Sequence, residues 1–265
     1  MRRNKYFYMW ADHIRNENGF KYIETGEGPP MIILHGIMGG LSNFNEVIEH
    51  FRKFFKIYMP ELPIYTFPLL KTNIKGFSKF LYDFIKFKNI KHPVLLGNSL
   101  GGHVALYYGH LHPERVRAMV LTGSSGLYEK GFGESYPQRK NYEYIKKKTQ
   151  EVFHDPKMAT KELVDEVYRI VNNRGKILRT LALAKSAIRH NMAKDLHLLR
   201  FPVCLIWGKQ DIVTPPEVAE EFHRLLPDSD LYWIDKAGHA PMMERPQEFN
   251  RILEAWFRKK GIISG

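Results

Sequence analysis

The sequence contains a single cysteine, no long hydrophobic run and no recognisable targeting segment. Cys204 has no partner within the chain, so no internal disulfide can form, which is compatible with a reducing cytoplasm. The longest apolar runs, such as Met31–Leu34 and Val94–Leu96, are far too short to cross a membrane as a helix. The first ten residues are basic, but neither a long apolar stretch nor a small-residue cleavage site follows them. We therefore expect a cytoplasmic protein without a membrane span.

Sequence signatures of metal, phosphate and nucleic-acid binding are also missing. No His-Glu-x-x-His spacing and no glycine-rich phosphate loop occur, and one cysteine cannot build a structural zinc site. The net charge is +12, from 40 Lys and Arg against 28 Asp and Glu, but no nucleic-acid motif accompanies it. The densest basic stretch, Arg139–Lys148, is interrupted by Glu143 and is interpreted as a solvated helix face. We expect a small-molecule substrate, with no metal and no nucleic-acid partner.

The length of the chain is sufficient for a sizeable hydrophobic core. With 265 residues, it suits one large α/β domain, or one domain that carries an insertion. A composition of 44% hydrophobic and 26% charged residues is typical of a globular protein and excludes wholesale disorder.

Short apolar segments alternate with segments of helical periodicity along most of the chain. Continuously apolar runs such as Met31–Leu34 are typical of strands that are covered on both faces. The alternation therefore predicts an α/β fold, with a parallel sheet covered by helices on both sides. The predicted strands are Gly19–Thr25, Met31–Leu34, Phe55–Met59, Pro93–Leu96, Val116–Leu121, Val203–Trp207 and Asp230–Ile234. The predicted helices are Asn43–Phe54, Asn73–Phe87, His103–Leu111, Pro216–Leu226 and Pro246–Lys259.

One segment, residues 127–199, breaks this alternation. It shows helical patterns without a convincing strand, and its best helices are Lys161–Val171 and Ile177–Ile188. It contains 15 Lys and Arg against 9 Asp and Glu, so it contributes +6 to the net charge of +12. We predict a helical cap at 127–199, inserted into a core formed by residues 1–126 and 200–265.

The pentapeptide Gly97–Gly101, with the sequence Gly-Asn-Ser-Leu-Gly, follows a predicted buried strand and precedes a predicted helix. A nucleophilic serine needs its hydroxyl exposed on such a tight strand-to-helix turn. The glycines on either side allow backbone segments to crowd together there. The pattern therefore predicts that Ser99 is a nucleophile.

A serine nucleophile needs a base, and the base needs an acid that fixes its tautomer. His239 is the candidate base because it lies in a loop just after the last predicted strand. Asp211 follows the strand before that one, which gives the chain order Ser, Asp, His expected for this kind of turn. Asp235 and Glu129 are weaker candidates for the acid, because Asp235 is only four residues before His239 and Glu129 lies well beyond the end of its strand.

The negative charge that develops in acyl transfer needs two backbone N–H donors. The amide of Leu100, directly after Ser99, is predicted as one donor of this oxyanion hole, and the amide of Ile37 as the other. Gly36, in the same loop as Ile37, is predicted to bind substrate by letting the backbone approach it closely. His35 is interpreted as a residue that fixes this loop.

Together these motifs resemble the α/β-hydrolase superfamily, in its serine-nucleophile branch. The resemblance covers nearly the whole chain, and Ser99 argues against the branches with an aspartate nucleophile, the haloalkane dehalogenases and epoxide hydrolases. It implies an eight-stranded sheet, a helical cap over the site, and no metal or organic cofactor. It rests on His35-Gly36, the pentapeptide around Ser99, Asp211 in Trp207–Asp211, and Gly238–Pro241 followed by Glu244–Pro246.

Within this branch, Gly97–Gly102 is similar to the turn of hydrolases that cleave carbon–carbon bonds in ring-opened diketo acids. Such acidic substrates would suit a basic cap, in which Arg174, Arg179 or Arg189 could bind a carboxylate. The sequence departs from that group at Ala240, where the group usually has tryptophan. It departs from many relatives at Pro60–Pro63, where an Asp-x-Pro-Gly turn is usual.

The function predicted first is hydrolysis of a small-molecule ester, thioester or lactone through an acyl-enzyme on Ser99. The alternatives are a carbon–carbon bond hydrolase that uses the same residues, and a slow-turnover receptor for a small molecule on the same fold.

Overall fold

The computed structural model describes residues 9–129 and 138–264, so residues 130–137 of the predicted cap lie outside the described residues. Eight strands form one sheet in the order β1-β2-β4-β3-β5-β6-β7-β8. The first strand pairs antiparallel with β2, and β2 pairs antiparallel with β4, whereas every other neighbouring pair is parallel. This topology confirms the predicted α/β class. The strands are β1 Ile14–Glu17, β2 Phe20–Thr25, β3 Pro30–Leu34, β4 Lys56–Pro60, β5 Val94–Asn98, β6 Ala118–Thr122, β7 Val203–Gly208 and β8 Ser229–Ile234.

Helices cover both faces of this sheet. The α-helices are α1 Asn45–Phe51, α2 Ile74–Phe87, α3 Leu100–Leu111, α4 Tyr142–Gln150, α5 Lys161–Asn172, α6 Arg174–Arg189, α7 Pro216–Leu225, α8 Pro241–Glu244 and α9 Pro246–Lys259.

Alternate side chains of the central strands enter two separate hydrophobic clusters. In β3, Ile32 and Leu34 pack in one cluster with residues of α2 and α3, whereas Met31 and Ile33 pack in the other with residues of α1 and α9. Successive side chains of a strand point to opposite faces, so an uninterrupted apolar strand requires apolar cover on both sides. The continuous runs in the sequence have this physical cause.

The chain between β6 and β7 contains the residues predicted as a cap, 127–199, called the insertion below. Its described part contains α4, α5 and α6 and no strand. A third small hydrophobic cluster joins these helices, formed by Ile145, Val167, Val171 and Ile177. The insertion therefore has a core of its own, and the basic stretch Arg139–Lys148 overlaps α4 as an amphipathic helix with Ile145 buried.

The sequence analysis missed the edge strand β1. Three of its four side chains are exposed, so the strand has no apolar alternation by which it could be recognised. It joins β2 through Asn18 and Gly19, which both adopt positive φ angles of 49° and 79°. An Asn-Gly pair with this geometry is the preferred two-residue hairpin turn, and this pair was the available sequence signal.

In the described part of the chain, no helix is both long and apolar enough to cross a membrane.

Candidate active site

The predicted site residues lie at one edge of the sheet because each follows the carboxyl end of a parallel strand. Ser99 follows β5, Asp211 lies three residues after β7, and His239 lies five residues after β8. Gly36 and Ile37 follow β3, which pairs with β5. Loops at the carboxyl ends of parallel strands converge in this way in α/β folds. All three ionisable or nucleophilic side chains are buried.

Ser99 occupies a strained turn between β5 and α3. Its φ of 53° and ψ of −120° are unusual for a residue with a side chain, as is typical of a serine on a strand-to-helix elbow. Crowding explains the neighbouring glycines, because a Cβ at Gly101 would collide with the backbone oxygen of Leu34. A Cβ at Gly36 would come within 3.2 Å of the Ser99 Cβ, so the Gly36 backbone passes directly beside this serine.

His239 is paired with Asp211. The His239 Nδ1 lies 2.9 Å from Asp211 Oδ2, and the same carboxylate accepts hydrogen bonds from the amides of Val213 and Thr214 and from the Thr214 hydroxyl. With Nδ1 as the donor to Asp211, Nε2 is the free ring nitrogen. Within the described part of the chain, this buried Nε2 has no hydrogen-bond partner.

The elbow and the His239 loop are tied to one another through Asn98. The Asn98 Nδ2 donates to the carbonyl oxygens of Thr122 and His239, at 2.9 and 3.1 Å. The Ser99 amide donates to Thr122 as well. Ser99 Oγ and His239 Nε2 do not form a hydrogen bond in this structure. Such bonds are often loose in free enzymes and tighten when a substrate binds.

The electrostatic surroundings favour the protonated form of His239. Burial by itself would lower its pKa, but the charge of Asp211 and its hydrogen bond outweigh burial, and Glu129 adds to them, so the pKa is raised. Glu129 is a half-buried carboxyl whose pKa is raised by burial, against the opposing effects of His239 and a hydrogen bond from Ser125. Asp235 instead accepts a hydrogen bond from Gln210 and is exposed. The structure thus brings Asp211 against His239, with Glu129 as a second carboxyl nearby.

His35 holds the loop that carries Ile37. Its Nε2 accepts a hydrogen bond from the Leu62 amide at 2.9 Å, and its Nδ1 donates to the Gly36 carbonyl at 2.9 Å. Both ring nitrogens are therefore engaged, and burial lowers the pKa of His35, which favours the neutral ring. Leu100 is the first residue of α3, so its amide has no acceptor within that helix.

The sequence analysis missed how the His239 loop is supported. Glu244 accepts hydrogen bonds from the Gly238 amide and, with its second oxygen, from the amides of His154 and Asp155 in the insertion. The His239 amide donates to Val152, which also belongs to the insertion. Glu244 was recognised only as part of a motif, because partners some 90 residues away leave no sequence signal.

Gly123 was also missed, although the ring of His239 rests on it. Gly123 has a φ of +50°, and a Cβ there would come within 2.9 Å of His239 Nδ1. A side chain at this position would therefore be strained and would displace the imidazole.

The arginines predicted as carboxylate ligands lie on α6. Arg174 is exposed at its first turn and Arg189 is exposed at its end. Arg179 donates from Nε to the Phe67 carbonyl at 2.9 Å and from Nη1 to the Gly175 carbonyl. None of the hydrogen bonds of the described residues joins these arginines to Ser99, Asp211 or His239.

Two surface clefts of about 500 and 720 Å³ are found elsewhere. The first, lined by Thr25, Gly26 and Lys56 among others, lies at the edge of the sheet where the parallel strands begin, opposite Ser99. The second lies along α1 and α9. Both are open and charged, and neither is lined by a predicted site residue, so the chemistry of the Ser99 edge is the better guide to function. Among the described residues, no group of three or more His, Cys, Asp or Glu side chains is placed to hold a metal ion.

Comparisons with known proteins agree with this architecture. The family model described as the alpha/beta hydrolase fold matches residues 29–156 and 126–246. The crystal structure of MGS-MChE2, an alpha/beta hydrolase enzyme from the metagenome of lagoon sediments at Mar Chica, Morocco, is 51% identical to this chain. The two structures superpose with a TM-score of 0.79, and the match covers 94% of this chain and 100% of the MGS-MChE2 chain.

Two curated relatives differ in their chemistry. The 2-hydroxy-6-oxo-6-(2'-aminophenyl)hexa-2,4-dienoic acid hydrolase of Metapseudomonas resinovorans is 28% identical over 262 residues, which is 92% of this chain and 89% of that protein. The pimeloyl-(acyl-carrier protein) methyl ester esterase of Neisseria meningitidis is 32% identical over 174 residues, covering 58% of this chain and 65% of its own length.

Proposed function

The chain belongs to the α/β-hydrolase family and is a hydrolase, and from this premise we propose that it acts through Ser99, His239 and Asp211. One observation carries the proposal. The imidazole of His239 is held by Asp211 at 2.9 Å, and its other nitrogen is left unpartnered among the described residues, at the sheet edge where Ser99 stands on a strained elbow. A base with one nitrogen anchored and the other free is what a serine nucleophile requires.

The mechanism follows from these positions. His239 Nε2 takes the proton of Ser99 Oγ while the oxygen attacks the substrate carbonyl, and the imidazolium that forms is stabilised by Asp211. The amides of Leu100 and Ile37 stabilise the oxyanion. The imidazolium then protonates the departing alcohol or thiol, which leaves an acyl-enzyme on Ser99. In the second half, His239 removes a proton from water, the hydroxide attacks the acyl carbonyl, and Ser99 Oγ leaves with the proton as the acid is released.

We assign esters, thioesters and lactones as the substrate class, with the insertion as the cap that shapes the pocket. The esterase relative supports an acyl substrate, and the hydrogen bonds from the insertion to Glu244 and from His239 to Val152 support a cap that is built into the site. Cys204 is a buried free thiol, and with no second cysteine in the chain this fits a protein that works in the cytoplasm.

A carbon–carbon bond hydrolase is the second candidate, favoured by the relative that acts on a dienoic acid and covers 92% of this chain. In that function, Arg174 would bind the substrate carboxylate. Ala240 counts against it, because the tryptophan usual in that group is missing.

A substrate comparison separates the two functions. We expect p-nitrophenyl esters of increasing acyl length to be turned over with burst kinetics, since an acyl-enzyme forms, and ring-opened diketo acids to be poor substrates. Arg174→Ala should leave ester hydrolysis unchanged. A higher kcat/KM for a diketo acid than for every ester, together with its loss in Arg174→Ala, would replace the first function with the second.

A further inference from the structure

The turn before α2 presents apolar side chains to solvent. Leu70 is 93% exposed and Leu69 is 49% exposed, although both belong to an ordered turn. The Lys71 amide donates to Pro68, the Thr72 hydroxyl donates to Pro68, and the Asn73 side chain donates to the Leu70 carbonyl. Asn73 also caps α2 through the Gly76 amide. The two leucines are therefore held outward by a hydrogen-bonded turn rather than exposed by a loose loop.

This turn lies along helix α6 of the insertion. The Arg179 Nε donates to the Phe67 carbonyl at 2.9 Å, and the Ile74 amide donates to the Ser186 hydroxyl at 3.2 Å. Because the partners are seven residues apart on both segments, the two segments run side by side for about 10 Å. Leu178 and Lys185 immediately precede the two contact residues of α6, and both are exposed, Leu178 by 49%. We call Leu69, Leu70, Lys71, Lys75, Leu178 and Lys185 the leucine–lysine surface.

No acidic residue belongs to either segment. Residues 62–82 contain three lysines, and residues 167–194 contain seven Lys and Arg, without one Asp or Glu in either range. Lys71 directly follows Leu70, and Lys71, Lys75 of α2 and Lys185 of α6 are exposed. Beyond these ranges, Asp83 pairs with Lys79 at 2.8 Å, so the free positive charge near the leucines comes from the other lysines. Exposed leucines and an exposed lysine on one turn match the boundary between anionic headgroups and acyl chains, where apolar side chains insert and cations remain at the headgroups.

We propose that the leucine–lysine surface docks the protein on an anionic lipid membrane as a peripheral protein. Leu69 and Leu70 enter the acyl region, while the lysines contact anionic headgroups. A second copy of this chain fits the surface poorly, because a twofold contact would bring like charges together. This docking does not depend on the chemistry of Ser99. Tyr65, four residues before Leu69, donates from its hydroxyl to the Ile37 carbonyl at 3.2 Å, so the segment that carries the surface also contacts the Ile37 loop.

Vesicle flotation with the full chain tests the proposal. We expect the protein to float with vesicles of equimolar phosphatidylcholine and phosphatidylglycerol, to remain behind with pure phosphatidylcholine, and to be released by high salt. The double variant Leu69→Ser/Leu70→Ser should bind at least about tenfold more weakly, because each leucine loses its burial in the acyl region. The matched control Leu111→Ser, at a leucine that is 48% exposed on α3, should bind as the wild type does.

The charges are tested in the same way. Lys71→Gln/Lys75→Gln should weaken binding to the mixed vesicles, whereas Lys86→Gln/Lys91→Gln, at exposed lysines near the other end of α2, should not. All variants should keep the wild-type melting temperature and hydrolysis of a water-soluble ester. Absence of binding, equal binding to both vesicles, or binding unchanged in the leucine variant would overturn the proposal. A dimer that the leucine variant dissociates, without vesicle binding, would overturn it in favour of a protein interface.

Discussion

The imidazole of His239 is near two carboxyl groups with very different surroundings. Asp211 accepts hydrogen bonds from Val213, Thr214 and His239, so both of its oxygens have donors. Glu129 keeps a buried Oε1 without a partner among the described residues, and its pKa is raised by burial. Asp211 is therefore fixed as the hydrogen-bond partner of the imidazole, whereas Glu129 acts on it only through its charge.

The contrast predicts a pH profile. Burial opposes protonation of His239, but Asp211 and then Glu129 raise its pKa above the ordinary histidine value, so kcat/KM should rise with pH through an ionisation above about 6.5. Asp211→Asn should move this limb to lower pH, since the charge that raised the pKa is gone, and should lower kcat by about 10³–10⁴-fold because the wrong tautomer is favoured. Steady-state kinetics across pH on one soluble ester measure both effects.

Glu129→Gln is the matched comparison, because it removes the other carboxylate. It should shift the limb slightly in the same direction and leave kcat within about tenfold of the wild type, since it makes no hydrogen bond to the imidazole. A larger loss in Glu129→Gln than in Asp211→Asn would exchange the roles of the two acids.

At the residue scale, the sequence allowed prediction of those side chains that stand at a recognisable distance after a strand. Ser99, Asp211 and His239 each follow a strand that the sequence marks, and the structure places them at one edge. Gly123 and Glu244 could not be found in this way. Their roles depend on contacts with His239 and with residues 154 and 155, which are set by tertiary packing rather than by local sequence.

At the element scale, the insertion contributes directly to the loop that carries His239. Val152 accepts a hydrogen bond from the His239 amide, and Glu244 joins Gly238 to His154 and Asp155. A short helix, α8, carries Glu244 and immediately follows the His239 loop. The position of His239 therefore depends on the insertion as well as on the sheet.

We predict that Glu244→Gln lowers kcat by about 10- to 10²-fold, because the amide of glutamine cannot accept all three hydrogen bonds and a small displacement of a catalytic group has effects of this size. KM should change little, since no substrate contact is removed. Glu217→Gln, at an exposed glutamate of α7, is the control and should be silent. The test is to measure kcat and KM of both variants on one ester, with melting curves to verify that they fold. Wild-type kcat in Glu244→Gln would contradict the role assigned to this carboxylate.

Helices and strands could be predicted from the sequence where their buried residues form a regular apolar pattern. The buried strands β3, β5 and β7 are continuous apolar runs, and α2 and α9 show the periodicity of helices with one buried face. The edge strand β1 and the four-residue helix α8 have too little buried surface to leave a pattern. The start of α3 was predicted at His103 but lies at Leu100, because the glycines at 101 and 102 are required by close packing against Leu34 and Ser124.

At the scale of the whole molecule, a histidine pair joins the core to the insertion. His103 of α3 and His190 at the end of α6 lie with Nε2 and Nδ1 3.0 Å apart. Burial, with the charge of His190 adding to it, lowers the pKa of His103 to about 3. Burial also lowers the pKa of His190, as do Lys75 and His110, against the opposing effects of Asp195 and its own backbone. The pair is therefore neutral at neutral pH and resists protonation while the protein is folded.

The lowered pKa of His103 predicts that acid destabilises the folded protein. A histidine whose pKa is lower in the folded state stabilises the fold fully above its unfolded pKa of about 6.5, and this stability is lost as pH falls from there toward about 3. His103→Gln should flatten this loss, because glutamine fills the site without titrating. His197→Gln, at an exposed histidine of the insertion, should leave it unchanged. Melting temperatures at a series of pH values test this, and equal acid sensitivity of His103→Gln and wild type would refute it.

The central claim for the whole protein is that Ser99 is an activated nucleophile. It is tested most directly by reaction with a fluorophosphonate, followed by intact mass and peptide mapping. We predict that one phosphonyl group is added at Ser99. Ser99→Ala should take up none and should lose at least about 10⁴-fold in kcat while keeping its fold. The control is Ser124→Ala, which removes a nearby buried hydroxyl that donates to the Ser125 carbonyl and should be labelled like the wild type. An unlabelled wild type, or a folded Ser99→Ala that is still labelled and active, would contradict the account.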